Sequence, residues 1–292
     1  MAQKIAFANN KGGTAKTTSL VNIAGALHLK QPNAKILIID TDGQGNAARS
    51  FNIDANDSDL SMYGVFMGQT NPVDAIYPHV FDNIDMIMGN NDLNYLEFDK
   101  MKKLSTEFDS DLQDQYFNML NGVIKRPVDD TDESHQYVDE MYDFIFFDTP
   151  PEMKAVTSSV LATSDYVIIP YEPDSFSIDG IINIIERISD IRQNYNPDLK
   201  IGGLLATKYQ RNTKIAPEVV MAVQNYANDH GVPFFSNYIP RSTTYAKSPA
   251  YKGLPATLSL GDNRSTRKRN PLTDAYFDLL DEMIAKNIIK ID

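Results

Sequence analysis

The apolar residues of this chain gather in short unbroken runs, several ending in an acid or a turn. Ile36-Leu37-Ile38-Ile39 ends in Asp40, Phe144-Ile145-Phe146-Phe147 in Asp148, and Tyr166-Val167-Ile168-Ile169 in Pro170. Similar runs begin near residues 3, 200 and 234. A run without polar alternation suits a strand covered on both faces, as in a parallel sheet. Residues 84–88 predict a further short strand, broken by Gly89-Asn90-Asn91. Between the runs, apolar residues return at helical spacing. An amphipathic helix is expected after Lys16. A second is expected over about 177–193, with Ile178, Ile181, Ile182, Ile185 and Ile188 on its core face. A last one covers 272–289, with Asp274, Asp278, Asp281 and Glu282 on its polar face. Residues 50–80 read as irregular structure and short helices, and 94–140 as one or two helices with an exposed acidic loop. Strands alternating with helices predict a doubly wound, mainly parallel sheet with helices on both faces. Its ligand site is then expected at the carboxyl ends of the strands.

Composition narrows the class. A chain of 292 residues, 42% hydrophobic, is long enough for a large core. No apolar run approaches the ~20 residues that span a bilayer, and the start lacks a secretory leader pattern. A cytoplasmic protein is expected. Cysteine is absent, which excludes a disulfide framework and thiolate metal sites. The formal net charge is −12. Binding to nucleic acid would therefore need a local basic patch on an acidic body.

The chemistry concentrates where the strands end. After the first run comes Lys11-Gly12-Gly13-Thr14-Ala15-Lys16-Thr17-Thr18. Strand, glycine-bearing loop and helix N-terminus together make a phosphate cradle: bare backbone N–H groups approach the anion and the helix end adds partial positive charge. Lys16 would reach the β- and γ-phosphates of a nucleotide, and Thr17 a magnesium ion. The ordinary phosphate-loop pattern wants glycine at Asn10 and Ala15, and this chain departs from it at both. Asp40-Thr41-Asp42-Gly43-Gln44-Gly45-Asn46 follows the second run, and Asp148-Thr149-Pro150-Pro151 a later one. An acid ending a buried strand is the Walker B arrangement, which holds a magnesium-bound water.

These motifs resemble the deviant Walker A signature of the ParA/MinD group of P-loop ATPases, KGG-x-GK-[ST], with its DxDPQGN and YDxIIIDTPP elements. Ala15 and Gly43 depart from the pattern. The likeness covers the chain except about 94–140 and implies one ATPase domain over 1–292. That domain would carry a helical, acidic insertion at about 94–140 and a basic part at about 208–270. It implies ATP and magnesium as cofactors. Residues 11–18 would hold the nucleotide, with Lys208 and Pro240 near its adenine. Thr17, Asp40 and Asp148 would serve the metal. Lys11 would reach the other subunit's ATP in a sandwich homodimer, alongside the catalytic residues Lys16 and Asp42, and Asp42 would position the attacking water. Absence of cysteine sets the chain apart from the iron–sulfur members of the group.

Positive charge collects late in the chain, at Arg211, Lys214, Lys247, Lys252, Arg264, Arg267, Lys268 and Arg269. Such a patch suits nonspecific phosphate contacts. The resemblance thus implies a partition ATPase that binds nonspecific DNA as a dimer, sits on the nucleoid when ATP-bound, and answers to a ParB-type partner. The acidic last helix does not suit a membrane surface, which attracts basic helices. An alternative is a MinD-like positioning ATPase acting on a protein or membrane site.

Overall fold

Strands β1 (Gln3–Phe7), β2 (Ile36–Asp40), β3 (Ile76–Phe81), β4 (Ile84–Ile87), β5 (Phe144–Asp148), β6 (Tyr166–Tyr171) and β7 (Lys200–Ala206) form one sheet in the order β3-β4-β2-β5-β1-β6-β7. The structure is a computed structural model describing residues 1–57, 60–104, 118–125, 137–262 and 270–291. Every adjacent pair is parallel except β3 with β4. Every residue of β2 and β5 is buried. Leu37, Ile39, Ile145 and Phe147 face one core, Ile36, Ile38, Phe144 and Phe146 the other. Successive side chains of a strand point to opposite faces, so the unbroken runs reflect two cores.

The first core is closed by α7 (Ala155–Thr163), α8 (Ser177–Asn194) and α9 (Ile215–Asp229). On α8 the buried isoleucines are Ile181, Ile184, Ile188 and Ile191, so the core face is turned relative to the expected stripe, and Ile178 and Ile185 are only partly buried. The second core is closed by α1 (Lys16–Lys30) and α12 (Pro271–Ala285). The expected amphipathic α1 is instead buried along most of its length, because α11 (Ala256–Leu260) and α12 return over its outer side. Asp274 of α12, placed on a polar face by the sequence, is also buried.

Two strand expectations change. Residues 76–81, expected to be irregular, form the edge strand β3. Pro78 breaks its strand signal but is tolerated there, since an outer edge has no ladder N–H to supply. Conversely, the run near residue 234 makes only a single parallel bridge, Leu204 to Phe234. Pro233 has no N–H, and the N–H groups of Ser236 and Asn237 are taken by the Glu282 carboxylate at 2.8–3.1 Å. The remaining short helices are α2 (Asn46–Arg49), α3 (Met62–Phe66), α4 (Leu96–Leu104), α5 (Met119–Ile124), α6 (Val138–Met141) and α10 (Thr244–Lys252). Of the expected helices and acidic loop over 94–140, residues 105–117 and 126–136 lie outside the described residues. Among the described residues, no helix is long and apolar enough to cross a membrane.

Candidate functional site

Parallel strands bring their carboxyl ends to one edge, so β1, β2, β5, β6 and β7 all deliver loops there. The loop after β1 is held by its own polar residues. Asn9 donates to Pro170 O at 2.7 Å and accepts from Lys11 N–H at 3.0 Å. Thr207, just after β7, donates to Thr14 O at 2.9 Å. Gly13 has φ 75° and Ala15 φ 63°, both left-handed. Ala15 therefore bears a strain that glycine would avoid, roughly 1–2 kcal/mol. Helix α1 then begins with no side-chain cap and no acid in its first turn. Its first N–H groups are left for an anion.

Lys16 is buried and donates to Asn9 O at 3.3 Å and Lys11 O at 3.4 Å. Burial lowers its pKa, against the pull of Asp148 and Asp42. Thr17 Oγ1 donates to Asp148 Oδ2 at 2.5 Å. The other oxygen, Asp148 Oδ1, is buried with no hydrogen-bond partner among the described residues. Burial pushes the Asp148 carboxyl up to about 7, against the hydrogen bond from Thr17, with Asp42 adding to the rise. Asp40 pairs in register with Asp148 on the neighbouring strand. Its two oxygens accept from Asp42 N–H at 2.9 Å and Ala47 N–H at 3.2 Å. Asp40 is fully buried, and burial with the nearby Asp148 raises its pKa well above the usual carboxylate range. Asp42 accepts from Gln44 N–H at 3.0 Å, and burial raises its pKa too. Such an edge can take a polyanion on backbone N–H groups and a divalent cation on carboxylate and hydroxyl oxygens.

A cavity of about 530 Å³ opens over these groups, lined by residues 12–18, Asp42 and Lys208. A second, of about 230 Å³, shares Ala15, Thr18, Lys208, Tyr245 and Ala246 with it and adds Ile239, Pro240 and Tyr276. The structure thus gathers most of the sequence-predicted site. Three members of the predicted nucleotide and metal set line neither cavity: Asp40, Asp148 and Lys11. Lys11 forms an ion pair with Asp174, which follows β6. Lys208 pairs with Glu172 Oε2 at 3.1 Å. Gln44, Asn46 and Pro151 line the wall as members of the two acid motifs, whereas Arg49, Ser50, Tyr245 and Pro249 are not among the candidate site residues. For Arg49 and Ser50 the one available cue is nearness to the motif that ends at Asn46. Arg211 and Lys214 stand exposed after β7, and Lys247 and Lys252 on α10. Arg264, Arg267, Lys268 and Arg269 lie outside the described residues.

Residues 2–201 match a family described as an AAA domain (AAA_31). The chain is 29% identical over 263 residues to a ParA family protein of Mycoplasma pneumoniae, covering 87% of this chain and 88% of that one. It is 27% identical over 285 residues to the sporulation initiation inhibitor protein Soj of Bacillus subtilis, covering 98% and 99%. Among solved structures it resembles cobyrinic acid a,c-diamide synthase of Mycobacterium smegmatis, solved with an ATP analogue and magnesium. That likeness has a TM-score of 0.73 at 23% identity and covers 97% of this chain and 94% of that one.

Proposed function

The chain belongs to the AAA domain family AAA_31 and is a ParA-type P-loop ATPase, and from that premise we propose that it is a DNA-partition ATPase. The observation that carries the nucleotide part is the Thr17–Asp148 pair under the uncapped start of α1, with Asp148 Oδ1 buried and unpartnered. A buried polar atom without a partner is costly, and a magnesium ion would satisfy it. Thr17 and Asp148 would hold the metal. Asp40 would order its shell through the Asp42 backbone. Magnesium, when bound, neutralises charge on the phosphate oxygens. The loop from Lys11 to Thr18 would bind the phosphates, and Lys16 would reach the β- and γ-phosphates. Asp42 would orient the attacking water. The smaller cavity, with Pro240 and Lys208 on its wall, suits the adenine.

In this reading ATP closes a sandwich homodimer across that edge, and Lys11 crosses to the partner's nucleotide. The exposed Phe176, whose ring centroid is 6.0 Å from Lys11 Nζ, supports a surface there that association would cover. The dimer would bind nonspecific DNA through Arg211, Lys214, Lys247, Lys252, Arg264, Arg267, Lys268 and Arg269. Hydrolysis, stimulated by a ParB-type partner, would release it. The whole chain would act as one domain with an insertion at about 94–140, in the cytoplasm and on the nucleoid.

The net charge of −12 favours a second reading, in which the same switch positions a protein or membrane cargo. Fluorescence anisotropy of a random-sequence duplex separates the two. Binding with ATP and magnesium alone, weakening steeply with salt, is expected for a DNA cargo. No binding by protein that hydrolyses ATP overturns it in favour of the second reading.

A further inference from the structure

The cations of the nucleotide site are not equivalent. Lys11 is paired with Asp174, Lys208 with Glu172, and Lys16 lies against the carbonyls of Asn9 and Lys11. Arg49 lines the same cavity as Thr17, Thr18 and Lys208, yet among the described residues its guanidinium has no hydrogen-bond or ion-pair partner. Its backbone is tightly set. Ala47 N–H donates to the buried Asp40 carboxylate, Arg49 N–H donates to Gly45 O at 3.2 Å, and Ala47 and Ala48 are buried. Helix α2 is thereby tied to the end of β2, and it presents an exposed side chain to the cavity.

We propose that Arg49 is a further nucleotide-binding residue, contacting the part of the phosphate chain that ATP and ADP share. This rests on the nucleotide reading above. A guanidinium matches phosphate oxygens in a bidentate fork, a geometry an ammonium lacks. Placement favours the inner phosphates. Arg49 and Ser50 share the cavity wall with Tyr245 and Pro249 of α10, and Tyr245 continues into the smaller cavity. Asp174 and Lys11 are off that wall. Arg49 then adds a cation beside a loop whose Ala15 replaces the bare backbone of glycine.

The test is calorimetric titration of the full chain with MgADP and with magnesium and a non-hydrolysable ATP analogue. Arg49→Ala is expected to weaken both by about tenfold at low salt, the scale of one charge-assisted contact. Arg49→Lys should recover part of the loss, and the difference should shrink at about 1 M salt as screening shortens. Because the side chain is exposed, the melting temperature without nucleotide should not move. An Arg49→Ala affinity within about twofold of the parent for both nucleotides, with Lys16→Ala abolishing binding, overturns the inference and leaves the nucleotide reading intact. A loss confined to the ATP analogue overturns the assignment to the shared phosphates. If the parent chain binds neither nucleotide, the nucleotide reading itself falls.

Discussion

Lys11 and Asp174, 163 residues apart in sequence, form an ion pair within one chain. The lysine that would reach a second subunit is held at home by an acid on the loop after β6. Burial raises the Asp174 pKa, but hydrogen bonds from Lys11, Phe176 N–H and Ser177 outweigh it, and the net shift is downward. A carboxyl depressed in the folded state stays ionised even below its ordinary range, and its pair is lost only as pH falls through the lowered value. The tether should therefore hold throughout neutral pH. Both partners are part-exposed, so the pair is worth at most about 1 kcal/mol. Asp174→Asn is expected to raise the ATP-dependent dimer association constant, by at most about fivefold for each of the two pairs released. Sedimentation velocity with a non-hydrolysable analogue reads this directly. A dimer fraction below the parent's would mean that Asp174 serves the interface and does not restrain Lys11.

Asp42→Ala should retain nucleotide and DNA binding and lose hydrolysis. Lys16→Ala should lose nucleotide binding itself. Titration beside a phosphate-release assay separates the two. Normal turnover by Asp42→Ala would remove this residue from water positioning.

Ala15→Gly relaxes the left-handed position before α1. Strain of roughly 1–2 kcal/mol disappears, offset by roughly 0.5–1 kcal/mol of added unfolded-chain entropy. A net gain of up to about 1.5 kcal/mol is expected in urea unfolding, with nucleotide affinity no weaker than the parent's. A destabilised variant would show that the alanine methyl packs favourably enough to outweigh its backbone strain.

Gly25→Ala should behave against helix propensity. Alanine favours a helix interior by about 1 kcal/mol over glycine. Here, however, a Cβ would lie 2.6 Å from Thr257 Oγ1 and 2.8 Å from Leu258 Cγ of α11. Overpacking of this kind costs roughly 1–3 kcal/mol. Net destabilisation is expected, and a higher melting temperature would show that α11 is free to move off α1.

The five strands that carry the site were legible because each is buried on both faces and reads as an unbroken apolar run. That the loop after β1, Asp42 and Asp148 meet at one edge was legible for a related reason: each motif is contiguous, and its position at a strand end follows from the run before it. Edge strand β3 was not, because Pro78 interrupts it and one edge needs no ladder donors. Phe234 misled in the opposite sense, since the competing acceptor is Glu282 on the last helix.

The chain's local pattern therefore determined the sheet class and the placement of the glycine-bearing loop and the two acid motifs at strand ends, all of which depend on neighbours a few residues away. Tertiary structure alone decided that Asp174 holds Lys11, that α11 and α12 bury α1, and that Arg49 and Tyr245 share a cavity wall. Each of these joins residues far apart in sequence, and their meeting depends on strand order and on where the last helices return. Hydrophobic periodicity records only which face of an element is covered, so it cannot report which distant element covers it.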